Sequence, residues 1–202
     1  MTPFATLTAP ACPLPMSNVD TDQLIPARFM SRPRSEGYGE VLLHDLRRDA
    51  AGALDPAFPL AAHPGARILV ARRNFGCGSS REAAVYALAD FGFACVIAPS
   101  FGDIFASNAV NNGVLPATVQ EDEAEALLSA LADGGALTVD LEAQEIRGAG
   151  AGPIGFAIDP VWRTKLLNGW DDVDMTLSHA SAIAAFAEAD ARARPWAQLA
   201  ER

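Results

Sequence analysis

The sequence predicts one mixed α/β domain spanning residues 1–202. Three observations carry that reading. A strand–loop–helix–strand unit can be traced between Arg67 and Ala98, and short apolar runs alternate with helix-period stripes along the rest of the chain. Half of the 202 residues are hydrophobic and 20% are charged, which excludes a disordered chain and fits one domain of ordinary size. The pattern leaves α/β and α+β both open.

Residues 1–64 read as loop-rich, because Pro3, Pro10, Pro13, Pro15, Pro26 and Pro33 interrupt any long helix. A first short strand is expected over Ala5 to Ala9. The apolar run Ile68-Leu69-Val70-Ala71 fits a buried strand, and the turn from Asn74 to Gly78 follows it. A helix is expected from Arg81 to Phe91, where Ala84, Leu88 and Phe91 make a stripe at i, i+4 and i+7. Ala94 to Ala98 reads as the next buried strand. Asp103 to Asn111 is a helix stopped by Asn112-Gly113, and Glu121 to Ala132 is an acidic helix ending at Gly134-Gly135. Leu137 to Leu141 and Gln144 to Arg147 suit the two strands of a hairpin, with a further strand over Gly155 to Ile158. Asp159-Pro160 opens a helix that Asn168-Gly169 closes. The alanine-rich tail, about residues 179–202, has helix-forming composition.

Composition removes several function classes. The net charge is −10, yet residues 1–100 carry nine arginines against nine acids, and residues 101–202 hold six basic against sixteen acidic side chains. Nucleic acid is excluded as a partner, since phosphate binding needs clustered Lys and Arg. Lys165 is the one lysine, so Schiff-base chemistry would rest on it alone. Cys12, Cys77 and Cys95 are too few and too scattered for a disulfide framework, and their spacing is not that of metal ligands. No apolar run approaches membrane-spanning length. A soluble cytoplasmic protein without bound metal is expected.

The segment Asn74 to Ala84, NFGCGSSREAA, concentrates the chemistry. Ser79 and Glu82 stand in the S-x-x-E relation of a capping box, so Ser79 has a purely structural reading. The functional reading uses the same place. A helix N-terminus offers unpaired N–H groups and positive potential, and Arg81 adds a planar fork suited to a carboxylate. No lysine completes a phosphate-binding P-loop, and Glu82 stands where a nucleophile elbow or a dinucleotide loop needs glycine. Both readings of Ser79 remain open at this level.

NFGCGSSRE resembles the signature of the 3-isopropylmalate dehydratase small subunits, the swivelling β/β/α domain of the aconitase superfamily. NVDTDQLIP at Asn18–Pro26, IAPSFGDIF at Ile97–Phe105 with the following NNGVLPA, and LLNGWDDVDMTL at Leu166–Leu177 resemble further segments of that family in the right order. The resemblance covers nearly the whole chain. It implies an α/β fold with a mixed sheet and flanking helices, and a lyase that interconverts 2-isopropylmalate and 3-isopropylmalate by dehydration and rehydration in leucine biosynthesis.

By the same resemblance Ser79 is the catalytic base, and Ser80 and Arg81 bind substrate carboxylate. Arg32 and Arg34, with Arg28, lie in the stretch where the family reads its substrate. Asp22, Thr21 and Gly78 support the site, with Asp22 orienting an arginine. No cofactor is expected on this chain; a [4Fe–4S] cluster is expected on a large subunit, the implied partner. Ala83 stands where the family carries histidine, and Val161 to Lys165 is less basic than the family's version. A sibling substrate, homoaconitate or a methyl-substituted malate, and a non-catalytic anion-binding module are the competing readings.

Overall fold

The computed structural model describes residues 1–197. In chain order the elements are β1 (Thr6–Leu14), α1 (Thr21–Leu24), α2 (Pro59–Ala62), β2 (Ile68–Ala71), α3 (Glu82–Phe91), β3 (Cys95–Ala98), α4 (Asp103–Asn111), β4 (Leu115–Thr118), α5 (Glu121–Ala130), β5 (Ala136–Asp140), β6 (Glu145–Gly148), β7 (Ala151–Gly155), α6 (Pro160–Asn168), α7 (Asp172–Leu177) and α8 (Ala180–Ala193). Short 3-10 turns fill much of the stretch between Ala27 and Val41.

The strands form one mixed sheet in the order β4-β3-β2-β1-β5-β6-β7. β1 to β4 run parallel, and β5 to β7 add an antiparallel meander. β1 joins the halves by changing partner along its length: Thr6–Pro10 pairs with β5, and Ala11–Leu14 pairs with β2. Strands buried on both faces send alternate residues to opposite cores. Leu69, Ala71, Val96 and Ala98 meet α3 on one face; Ile68, Val70, Cys95 and Ile97 meet α5 on the other. Each such fully buried Leu, Val or Ile contributes about 1.5–3 kcal/mol relative to exposure.

The helices start and stop where their side chains dictate. Asp159 caps α6 by accepting from the N–H groups of Val161 and Trp162, Pro160 sits in the first turn, and Gly169 closes it in the left-handed conformation. α3 ends the same way at Gly92. The α4 boundaries match the sequence expectation at both ends.

Four expectations need correction. β1 runs to Leu14 rather than stopping at Ala9, because Pro10 precedes the pairing with β2 and Pro13 lies beyond the pairing with β5, so neither proline removes a ladder hydrogen bond. The strand expected at Gly155 to Ile158 instead ends at Gly155, since a turn through Ala149 and Gly150, both with positive φ, starts β7 at Ala151. β4 was not expected; its Pro116 is accommodated because the strand lies at the sheet edge. The tail helix ends at Ala193, and the expected helical residues 198–202 lie outside those described.

Candidate active site

Parallel strands present their carboxyl ends on one side of a sheet, and the connections there are free to build a site. Three such connections meet here. The loop after β2 is stitched to the loop after β1 by Gly76 N–H to the Val19 carbonyl at 2.7 Å and by Thr21 N–H to the Cys77 carbonyl at 2.9 Å. It is stitched to the loop after β3 by Phe75 N–H to the Ser100 carbonyl at 3.0 Å and Gly102 N–H to the Phe75 carbonyl at 2.9 Å. Asn74 takes a positive φ of 62° and anchors itself to Asn18 Oδ1 and to the Ser100 hydroxyl.

Glycine is required at Gly76. Its φ is +71°, and a Cβ there would sit 2.1 Å from the Phe105 ring. Phe105 and the fully buried Phe75 pack edge to face with centroids 5.4 Å apart, a rigid floor beneath the turn.

On that floor lies a cleft of about 210 Å³, lined by Thr21, Gly76 to Arg81 and Gly102 to Phe105. Ser79 and Ser80 are exposed. Among the described residues neither hydroxyl has a hydrogen-bond partner, and the N–H groups from Ser79 to Ala83 have no acceptor. The capping-box reading therefore fails. α3 begins at Glu82 with Arg81 as its N-cap and no side-chain cap, so Ser79 lies two residues before that cap with its hydroxyl unspent. The ladder's first N–H groups are left for a ligand, in the polarity that favours an anion.

The remaining site residues are held from below. Thr21 is 2% exposed and its hydroxyl donates to the Ser79 carbonyl at 2.8 Å. Asp20, Thr21 and Asp22 open α1, where the Asp20 carboxylate accepts from Gln23 N–H and the Gln23 side chain accepts from Asp20 N–H. Asp22 pairs with Arg81 Nη1. The Arg81 side chain is 18% exposed, and that single contact leaves most of its five-donor fork unengaged. Gly78, with φ +92°, turns the chain beside Asp20 and Thr21. The capping role of Asp20 was missed, although D-x-x-Q at Asp20–Gln23 is a legible capping signal. Gly102, Asp103 and Ile104 were likewise missed as lining residues.

The arginines of the loop after α1 are placed elsewhere. Arg34 forks onto Asp90 and lies over the Tyr86 ring, 4.0 Å from its centroid. Asp90 is eight residues past Glu82 on α3, about 12 Å along the helix from its start. Arg32 donates to the Gly37 carbonyl at 2.7 Å, with its Nε buried and unpartnered. Arg28 pairs with Asp45, whose carboxyl it holds below the ordinary range. The structure therefore does not bring Arg32 or Arg34 to the cleft, because each is held by a nearer acceptor.

Metal donors do not converge among the described residues. Cys12 and Cys95 are buried in opposite cores, where desolvation pushes the Cys12 thiol up to about 12 and raises Cys95 as well. Cys77 is alone in the loop. A larger, more apolar cleft of about 510 Å³ lies beyond Asp103, between Phe101 and Trp162. It lacks the convergence of hydroxyls, amides and guanidinium that marks the smaller one.

Comparison with known proteins identifies the family. The aconitase C-terminal domain family matches residues 1–122. A 3-isopropylmalate dehydratase small subunit of Mesorhizobium japonicum is 46% identical over 201 residues, covering 98% of this chain and all of that protein. One from Rhodospirillum centenum is 47% identical over 202 residues, covering 98% and 99%. A crystal structure of 3-isopropylmalate dehydratase from Methanocaldococcus jannaschii superposes with a TM-score of 0.64 at 28% identity, over 89% of this chain and 98% of that one. The chain thus belongs to the family of 3-isopropylmalate dehydratase small subunits, built on the aconitase C-terminal domain.

Proposed function

We propose that this chain is the small subunit of a two-chain hydro-lyase that isomerises 2-isopropylmalate to 3-isopropylmalate in leucine biosynthesis, in the cytoplasm. The carrying observation is the Ser79-Ser80-Arg81 loop: fixed from beneath by Thr21 and Asp22, yet with its hydroxyls and amides unengaged. An exposed loop of this kind is half a site. The other half belongs to a large subunit that closes over it and excludes water.

In this proposal Ser79 Oγ, as alkoxide, takes the proton from the carbon next to the one bearing the hydroxyl. The C–H electron pair becomes the double bond as the hydroxyl departs with its bonding pair as hydroxide; hydroxide then adds to the carbon that lost the proton while Ser79 returns that proton to the carbon that bore the hydroxyl. Lewis acidity toward the hydroxyl is supplied by a [4Fe–4S] cluster on the large subunit. The three cysteines of this chain are separated and do not fit such a cluster, so no step is assigned to them. Arg81 and Ser80 hold a substrate carboxylate, and the free N–H groups at the start of α3 add positive potential that lowers the energy of the alkoxide. A positioned base contributes roughly 10²–10⁴-fold.

The test is reconstitution. The chain is mixed anaerobically with its large subunit, and the unsaturated intermediate is followed in the ultraviolet from 2-isopropylmalate. Turnover that needs both chains supports the reading. Turnover only with homoaconitate or a methyl-substituted malate moves the substrate, and none with any malate removes the chemistry.

A further inference from the structure

We propose that the C-terminal arm, α7 and α8, is the element through which this chain docks on the large subunit; the inference rests on the reading above for the partner's identity. Ten large hydrophobic side chains are exposed among the described residues; four of them, Val173, Leu177, Ile183 and Phe186, fall in this arm, and Trp196 lies in the turn just after it. No residue of α7 or α8 is buried, and α8 packs chiefly on the short turn Pro195–Ala197 that follows it. Val173 and Leu177 stand at i, i+4, and Ile183 and Phe186 at i, i+3, so each helix carries its apolar residues on one side. Such a concentration marks a surface that meets another protein.

The arm is nevertheless firmly set at its root. Lys165 is 3% exposed; its ammonium reaches Asn111 Oδ1 at 2.5 Å and Asp172 Oδ1 at 2.7 Å. The Met1 ammonium donates to the Gly169 carbonyl at 2.9 Å, and Asp171 caps α7 reciprocally with Asp174. Two cations therefore clamp the hinge between α6 and α7. A projecting element whose base is fixed loses less freedom on docking than a free tail.

Two observations select the large subunit as occupant. α4 begins at Asp103, in the cleft, and ends at Asn111, on the arm's root, so the two are about 12 Å apart along one helix. Asn112 also donates to Glu82, the residue after Arg81. A protein that covers the loop with an ordinary footprint of ~800 Å² reaches the arm's root. Moreover, the small subunits from Mesorhizobium japonicum and Rhodospirillum centenum align over 201 and 202 residues, so the arm is shared by proteins of this family and calls for a partner common to them.

The experiment uses the full chain carrying Ile183→Asp and Phe186→Asp, titrated with purified large subunit by sedimentation. Binding is expected to weaken on the order of 100-fold or more, as for loss of an aromatic and an aliphatic anchor. The free variant should melt as the wild type does, because both side chains are exposed. An Ile183→Ala, Phe186→Ala variant should weaken binding in the same direction without added charge. Ser79→Ala should bind as wild type, so turnover retained with binding retained would unseat the chemistry and leave the arm standing. Unchanged affinity of the Asp variant overturns the proposal. So does an effect confined to self-association of the free chain, which would make a second copy the occupant, or failure of the wild-type chain to bind the large subunit.

Discussion

The Thr21 hydroxyl donates to the Ser79 carbonyl across 2.8 Å, joining the loop after β1 to the loop after β2 at the residue proposed to move a proton. Thr21 is buried, so the bond is shielded from water and has no substitute donor. Thr21→Val keeps the shape and deletes the donor. It should destabilise the subunit by about 1–2 kcal/mol. It should also lower kcat by roughly tenfold with little change in KM, since a misplaced base weakens the transition state more than substrate binding. Denaturant midpoints and steady-state kinetics on the reconstituted enzyme measure both; an unchanged kcat removes Thr21 from the site.

Among the described residues Arg81 offers a fork with a single side-chain contact, to Asp22. Arg81→Lys keeps the charge and loses the bidentate geometry. The expected result is a loss in kcat/KM of about 100-fold, dominated by KM, with the melting temperature nearly unchanged because the pair is partly exposed. A lysine variant with normal KM would show that no carboxylate is held there.

Gly76→Ala tests the floor of the cleft. The added methyl collides with the Phe105 ring and occupies a φ of +71°. Both effects destabilise, together by about 2–3 kcal/mol or more. Calorimetry of the isolated subunit reads this directly, and a wild-type melting temperature would contradict the packing described.

Alkaline pH should weaken the fold through its buried thiols. Cys12 and Cys95 have raised folded values, with Cys12 at about 12, whereas an unfolded thiol ionises near ~8.5. The stability that they hold is full below the unfolded value and is lost as pH rises toward the folded one, because the unfolded chain releases protons first. Melting temperature should fall between about pH 8 and about pH 10.5, and less steeply in a Cys12→Ala, Cys95→Ala variant. At the lower pH, iodoacetamide should modify Cys77 well before either buried thiol.

The fold was legible where local chemistry and tertiary placement agree. Ile68 to Ala71 is apolar and β-branched enough to read as a strand, and Asp159-Pro160 with Gly169 marks both ends of α6. It was illegible where pairing overrides propensity. Pro10, Pro13, Pro116 and Pro153 all lie in strands, tolerated because each falls at an edge or where a partner strand is missing, and no local pattern reveals that. The site divides similarly. Ser79, Ser80 and Arg81 stand together because they are consecutive, whereas the Ser79–Glu82 spacing suggested a cap that the extended backbone at Arg81 does not make. That Arg34 lies away from the cleft was not legible, because the acceptor that holds it, Asp90, is 56 residues away in sequence.

The most direct measurement compares wild type and Ser79→Ala in the reconstituted two-chain enzyme, with complex formation followed in the same samples. Ser79→Ala should assemble normally and lose roughly 10²–10⁴-fold or more in kcat, since among the described residues the hydroxyl has no partner and the role proposed for it is toward substrate. An assembled Ser79→Ala enzyme that turns over at the wild-type rate would contradict the account.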